Sequence, residues 1–211
     1  MADHNLLIEQ LSRTITPVRR PYSPGWRVVT WVAMSLPAGA LASLLVQRTF
    51  TDWTQSGAGW VVLQLLLTFV VGVLAVRNAF LMSIAGQRPL GWTIFAPLIV
   101  VWFGIAVANM HLHHTVPATG QREGTNCYLF MMVVSLPMIA IVMGYLRRTR
   151  SLVPARSLSV AGAGVACMAL TLLALCHPAH VSVADFVLHI AATATIVLAT
   201  IAFGYKWISL P

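Results

Sequence analysis

Charged residues are scarce in this chain. Only 9% of its 211 residues are charged, whereas 58% are hydrophobic, and soluble domains carry about 25% charged residues. This deficit excludes a large soluble domain and indicates that lipid or buried protein surrounds most of the chain. The net charge of +8 does not indicate nucleic-acid binding here, because basic residues of membrane proteins mark the cytoplasmic side.

The chain also lacks several local signals. Asp3 and Glu9 lie near its start, and no basic region precedes a short apolar core with a cleavage site, so we expect no signal peptide. No repeat or low-complexity segment is visible, and the three cysteines form no C-x-x-C pair. Membrane thiol oxidoreductases generally use such a pair. This absence disfavours a membrane thiol oxidoreductase. We expect no enzymatic activity and no cofactor.

Long apolar runs dominate the chain instead. A membrane-spanning helix needs about 20 largely apolar residues, and six segments approach or exceed that length. They cover roughly 28–46, 60–84, 92–110, 127–146, 158–176 and 185–205. The pattern predicts an all-α, polytopic integral membrane protein with a bundle of six transmembrane helices over 27–211, preceded by a cytoplasmic tail over 1–26.

Small residues and prolines lie inside these segments. Glycine permits the close approach of helices in lipid, and neighbouring groups can absorb a proline kink. We expect packing roles for Gly39, Gly72, Gly162, Gly164, Pro37, Pro97 and Pro137.

The placement of basic residues orients the predicted helices. One side carries Arg13, Arg19, Arg20, Arg27, Arg88, Arg147, Arg148, Arg150, Arg156 and Lys206, and the other carries only Arg48 and Arg122. Because loops rich in Lys and Arg stay in the cytoplasm, both termini are expected there. Arg77 lies late in the second segment, so we expect it to reach toward the membrane boundary. A polar contact inside the bundle, beside Asn78, is the alternative.

Two cysteines mark the opposite boundary. Cys127 opens the fourth segment and Cys176 closes the fifth, so both face an oxidising compartment, where disulfides persist. Their helices are consecutive and antiparallel, and a bridge would require Cα atoms about 4.4–6.8 Å apart. The pair is a candidate redox sensor, with two boundary thiols that never meet as the alternative. Cys167 lies about 13 Å deeper and is expected to be a small buried hydrophobe.

Histidines crowd the same boundary. They are His111, His113, His114, His177 and His180. Imidazole and thiolate together suit zinc or copper, but no recognised ligand spacing is present. We therefore expect no metal site, and the candidate ligands of one would be His111, His113, His114 and His177.

The segment before the first span carries a periodic apolar stripe. Leu7, Leu11 and Ile15 recur at four-residue spacing, which predicts one face of a short helix that stops at Pro17. Such a helix can lie on the bilayer surface with the help of nearby basic residues. It can equally dock into an apolar groove of a cytoplasmic partner. The residue pattern alone does not choose between them.

Four stretches of the chain carry a family resemblance. They are LLIEQLSRTITPVRR in the tail, TNCYLFMMVVSLP around Cys127, LRRTRSLVPARSLSVAGAGVA leading into the fifth span, and LALCHPAHVSVADFVLHI around Cys176. Together they resemble the NrsF family, the polytopic membrane anti-sigma factors that hold an extracytoplasmic-function sigma factor. The resemblance runs along nearly the whole chain.

The resemblance implies a multi-pass regulator of transcription in the bacterial inner membrane, with a cytoplasmic N-terminus. The tail would keep the sigma factor from RNA polymerase, and oxidative or metal stress sensed at Cys127 and Cys176 would release it. The implied sigma-binding residues are Leu7, Leu11, Arg13, Ile15, Arg19 and Arg20. The expected partners are the sigma factor and the lipid bilayer, without direct contact to nucleic acid.

A small polytopic transporter or metal-handling membrane protein is the alternative function. Such proteins place ionisable groups deep in several spans. Only Arg77 comes close to that position in this sequence, so the regulator is the favoured interpretation.

Overall fold

The computed structural model describes residues 2–14, 22–47, 53, 58–112, 123–149, 151, 153–176 and 183–208. Within these residues every regular element is helical, and no strand is present. Six of the helices are long and apolar enough to cross a membrane. The predicted all-α bundle of six transmembrane helices is therefore confirmed.

The described residues form seven α-helices. They are α1 Ala2–Thr14, α2 Pro24–Ala42, α3 Ala58–Met82, α4 Trp92–Leu112, α5 Glu123–Arg147, α6 Pro154–Ala174 and α7 Val183–Ile208. A short 3-10 helix over Ser43–Leu45 extends α2. As expected, Pro37, Pro97 and Pro137 are accommodated inside α2, α4 and α5.

Of the helices that begin four residues earlier than the hydropathy pattern predicts, α2 and α6 begin with a proline. α2 begins at Pro24, where the Ser23 hydroxyl accepts a hydrogen bond from the amide of Trp26 at 3.4 Å. α6 begins at Pro154. Proline suits the first helical position because its φ angle is already helical and its missing N–H would have no helical acceptor there.

α6 lies at the centre of the bundle. It packs most extensively against α3 and α7, and it also contacts α5 and α2. α2 and α7 lie against α5, whereas α4 packs mainly along α3 at the periphery. The resulting core fully buries large side chains, including Trp31, Phe80, Met131, Leu158 and Ile196.

Glycines lie where helices approach each other most closely. A Cβ atom on Gly164 of α6 would lie 2.6 Å from Cγ2 and 3.0 Å from the backbone nitrogen of Val76 on α3. A Cβ atom on Gly162 would lie 2.9 Å from the Cα of Val197 on α7. Larger residues would force these helices apart, and close approach is what holds helices together in lipid. The expected packing role is confirmed for Gly39, Gly72, Gly162 and Gly164.

The alternating direction of the helices gives the bundle two chemically different ends. α2, α4 and α6 begin at one end, where α3, α5 and α7 finish. We call it the basic end, because it carries Arg27, Arg88, Arg147, Arg148, Arg156 and Lys206. The opposite end carries Cys127 near the start of α5 and Cys176 just after α6, and we call it the thiol end.

Candidate functional site

α1 carries an exposed apolar face, as its periodicity predicts. Leu7 is 54% exposed and Leu11 is 57% exposed, and Ile8 on the same stripe is exposed as well. No helix of the described bundle packs along α1. An isolated helix of this length is marginally stable in water. A surface that covers the apolar face of α1 would therefore stabilise the helix.

Of the basic residues predicted to bind the sigma factor, Arg13 lies within the described part of the tail. Arg13, in the last turn of α1, forms an exposed ion pair with Glu9 at 2.7 Å. An exposed pair of this kind contributes at most about 1 kcal/mol, so Arg13 can exchange Glu9 for another carboxylate at little cost. Ile15, Arg19 and Arg20, the other predicted binding residues, lie outside the described residues.

Arg27 is a buried cation at the basic end. It is 4% exposed, and its Nη2 donates hydrogen bonds to the backbone oxygen of Tyr145 at 3.1 Å and to the hydroxyl of Thr149 at 3.4 Å. Its guanidinium also lies 4.4 Å from the ring centroid of Phe80. The Tyr145 carbonyl is among the last four of α5, which have no donor within the helix. A cation is favourable at such a C-terminus.

Hydroxyl groups extend this contact across three helices. The Thr149 hydroxyl donates to Oγ of Ser83 at 2.9 Å, and Ser83 donates to the carbonyl of Phe80 at 2.7 Å. The Tyr145 hydroxyl donates to the hydroxyl of Thr30 on α2 at 3.0 Å. The start of α2, the end of α3 and the end of α5 are thereby fastened together where the tail joins the bundle.

Sequence reasoning does not single out Arg27. The hydropathy pattern starts the first span near residue 28, so Arg27 counts there as one more boundary charge. The signal that could have identified it is Ser23-Pro24, which starts a helix and places Arg27 about one turn inside it. A charge inside a spanning helix is by default a candidate for a specific contact.

Arg77 and Asn78 are neighbours on α3, but only Asn78 makes a contact inside the bundle among the described residues. Arg77 is exposed on α3, as expected for a side chain that reaches toward the boundary. Asn78 is buried, and its Oδ1 accepts a hydrogen bond from the backbone amide of Leu90 at 2.8 Å. This bond ties the loop before α4 to α3.

At the thiol end, both predicted sensor cysteines contribute to one hydrophobic core. Cys127 is 4% exposed and belongs to the buried core cluster, and Cys176 is half-buried and packs against that cluster. Both are present as thiols. The backbone amide of Cys176 donates to the carbonyl of Leu173 at 2.8 Å, which fixes its position just beyond the last turn of α6.

Cys167 lies apart from this pair, in the middle of α6. It is half-buried, and a Cβ atom on Gly72 of α3 would lie 3.0 Å from its own Cβ. It therefore occupies a helix–helix contact, as expected for a small apolar side chain.

The histidine candidates for a metal site lie mostly outside the described residues. His111 falls in the last turn of α4, whereas His113, His114 and His177 are not among the residues described. Within the described ranges, no group of three or more His, Cys, Asp or Glu side chains is arranged to hold a metal ion.

α5 carries a predicted sensor cysteine near one end and the hydrogen-bond acceptor of Arg27 near the other. Cys127 lies in its second turn, and Tyr145, whose carbonyl binds Arg27, lies in its last turn. These residues are 18 positions apart, about 27 Å along a helix, which approaches the ~30 Å thickness of the hydrocarbon layer. Tyr128, next to Cys127, also donates a hydrogen bond from its hydroxyl to Thr195 of α7 at 3.1 Å.

Searches against protein-family models, curated proteins and solved structures found no match to this chain.

Proposed function

We propose that this chain is a membrane anti-sigma factor of the kind that the NrsF family represents. In this proposal α1 holds an extracytoplasmic-function sigma factor at the bacterial inner membrane, and oxidative or metal stress at Cys127 and Cys176 releases it. The observation that carries the proposal is the exposed apolar face of α1, a helix that precedes six candidate membrane-spanning helices in the chain.

The composition of α1 favours a protein partner over the bilayer surface. Helices that lie on membranes are rich in Lys and Arg on their polar face, but α1 carries Asp3 and Glu9 against a single Arg13. Leu7 and Leu11 have the i, i+4 spacing with which a helix anchors in an apolar groove. A groove of a sigma factor, rimmed by a carboxylate that could pair with Arg13, would fit this helix.

The charge distribution supports the orientation that the proposal needs. Loops rich in Lys and Arg stay in the cytoplasm, and the described basic side chains gather at one end of the bundle. With that end in the cytoplasm, α1 lies in the compartment of the sigma factor. The thiol end then faces the compartment in which a disulfide can persist.

The proposed input reaction joins the two thiols. An oxidant accepts two electrons and two protons from Cys127 and Cys176, and one S–S bond forms. The bond requires Cα atoms about 4.4–6.8 Å apart, and Cys127 belongs to the buried core. Bridging would therefore lock the start of α5 to the end of α6 and select one packing of these helices.

The coupling to the tail would pass along α5. A shift of α5 changes the position of the Tyr145 carbonyl and the Thr149 hydroxyl, which bind Arg27 just after the tail. A hundredfold change in sigma binding needs about 2.7 kcal/mol of differential stabilisation, and a disulfide supplies about 2–4 kcal/mol. One disulfide can therefore supply the free energy for a hundredfold change in sigma binding, provided that the bridged and unbridged packings of α5 hold Arg27 differently.

Binding by α1 is testable with the full-length protein in lipid nanodiscs. We expect the protein to capture an extracytoplasmic-function sigma factor of its host. Leu7→Asp should weaken that binding by at least about 30-fold, because loss of a hot-spot residue costs about 2 kcal/mol of binding free energy. Surface plasmon resonance with immobilised nanodiscs gives the dissociation constants.

Gln10→Asp is the matched control, because it adds the same charge to α1 away from the apolar stripe. We expect it to change the dissociation constant by less than threefold. Equal losses in the two variants would show that charge, and not the apolar face, governs binding. Full-length protein that captures no sigma factor would contradict the proposal and favour the transporter or metal-handling alternative.

A further inference from the structure

A cavity opens between the peripheral helix α4 and the bundle. Its volume is about 640 Å³, and residues of α3, α4, α6 and α7 line it. This volume falls in the range of about 300–1,000 Å³ that is typical of small-molecule sites. The cavity exists because α4 packs mainly along α3, which leaves a gap between α4 and the pair α6 and α7.

The cavity is elongated along the membrane normal. It extends along α6 from Arg156 at the basic end to Leu170, about 21 Å of helix. One leaflet contributes about half of the ~30 Å hydrocarbon thickness, so an acyl chain of that leaflet fits within this length. At the far end the ring of Phe186 stacks against Trp102 at a centroid distance of 6.3 Å, and both rings line the wall.

Two polar groups of the wall are engaged within the protein, and the imidazole of His189 lines the wall as well. The indole N–H of Trp102 donates to the hydroxyl of Thr68 at 2.8 Å, and Asn78 Oδ1 accepts from the amide of Leu90 at 2.8 Å. A ligand with polar groups along its length would have to displace these bonds, whereas a hydrocarbon chain would not. The wall therefore favours an apolar chain.

The part of the cavity nearest the basic end has the opposite character. Among the described residues that line the cavity, Arg156 is the one with a permanent charge, and it is exposed. Basic pockets between spanning helices bind the head groups of anionic lipids. Hydrocarbon at one end and a guanidinium at the other match a lipid with a phosphate head group and an acyl chain.

We propose that this cavity is a binding site for an anionic phospholipid of the leaflet at the basic end, with one acyl chain between α4 and α7 and the phosphate at Arg156. The site is independent of the sigma-factor proposal, because it uses neither α1 nor the cysteine pair. The bound chain would fill the gap beside α4 and tie this peripheral helix to the bundle.

Native mass spectrometry of the full-length protein, titrated with phosphatidylglycerol or with phosphatidylcholine of identical chains, tests the head-group contact. We expect wild-type protein to prefer phosphatidylglycerol by about fivefold, since one basic residue contributes about 1 kcal/mol. Arg156→Gln should abolish this preference. Arg148→Gln, at an exposed arginine of the same end that does not line the cavity, should keep it.

A cavity-filling substitution tests the acyl-chain contact. Ala194→Phe on α7 places a ring in the cavity and should weaken the binding of both phospholipids at least tenfold, because displacement of two methylene groups at about 0.8 kcal/mol each already corresponds to that factor. Ala191→Phe, at an exposed position of α7 outside the lining, should have no effect. A thermal melt of each variant verifies that it is folded.

Three results would overturn the proposal. Unchanged lipid binding in a folded Ala194→Phe variant would exclude the cavity as the site. A preference for phosphatidylglycerol that survives Arg156→Gln would exclude the head-group contact. Displacement of the phospholipid by a neutral isoprenoid quinone, equally in wild type and Arg156→Gln, would assign the cavity to a different lipid.

Discussion

Arg27 shows how a single charge can be stabilised inside a membrane-spanning helix. Its position one turn into α2 brings it beside the C-terminus of α5, where the Tyr145 carbonyl needs a donor. The face of Phe80 provides a second favourable contact for the guanidinium. The planar fork of arginine makes both contacts at once, which the point charge of lysine does not.

Removal of Arg27 should therefore destabilise the bundle. Arg27→Ala leaves the part-buried Tyr145 carbonyl at the end of α5 without this donor, and we expect the free energy of unfolding to fall by about 1.5–3 kcal/mol, as for hydrogen bonds to charged groups. Arg148→Ala, at an exposed position of the same end, should change it by less than about 0.5 kcal/mol. Equilibrium unfolding of the two variants in mixed micelles measures the difference. Equal stability in both would show that Arg27 is merely a boundary charge.

For individual residues, the sequence predicts the position along a helix but not the contacts that the side chain makes. Both predicted sensor cysteines lie at the end of the bundle opposite the basic end, and Leu7 and Leu11 of the predicted stripe are exposed on α1. The contact of Arg27 with α5 joins residues far apart in the chain, and no local pattern indicates which carbonyl a buried guanidinium meets.

α6 has few large side chains because it is surrounded by other helices. Gly162 and Gly164 lie at its contacts with α7 and α3, at distances that exclude a Cβ atom. In lipid, helices gain little from apolar burial, so close backbone approach and good packing must supply the attraction. The helix of smallest residues therefore takes the central place.

A methyl group on Gly164 should force α3 and α6 apart. We expect Gly164→Ala to lower the free energy of unfolding by about 1–3 kcal/mol, the usual cost of overpacking. Gly104→Ala on α4 is the control, because a Cβ atom there meets nothing within 4 Å and alanine is the better helix former by about 0.5–1 kcal/mol. Thermal melts in the same detergent compare the two variants. A Gly164→Ala protein as stable as the control would mean that α3 and α6 can separate without cost.

The number and order of the helices follow from hydropathy, because each span must be both long and apolar. Hydropathy does not determine which helices pack against each other. Six apolar helices can pack in several arrangements, and the peripheral place of α4, with the cavity behind it, depends on side-chain shapes along α3 and α7. Proline at the start of α2 and α6 explains the shifted boundaries, and that shift brought Arg27 into the membrane-spanning segment.

In the whole molecule, the proposed input and output are separated by the thickness of the membrane. α5 spans this distance, with Cys127 in its second turn and the acceptor of Arg27 in its last. The helix packs against α2, α6 and α7, so a movement of α5 at the thiol end would act on all three neighbours. This arrangement makes α5 the physical route from the cysteine pair to the tail in the proposed switch.

In the proposed switch, Cys127 and Cys176 control what the tail binds. The most direct measurement is the dissociation constant of the sigma factor for full-length protein in nanodiscs, before and after treatment with a thiol oxidant. We predict that oxidation weakens wild-type binding about a hundredfold, equivalent to about 2.7 kcal/mol. Cys127→Ser/Cys176→Ser should bind as tightly as reduced wild type and ignore the oxidant, while Cys167→Ser should respond like wild type. An undiminished response in the double variant, or unchanged binding after complete oxidation of the wild-type pair, would contradict the account.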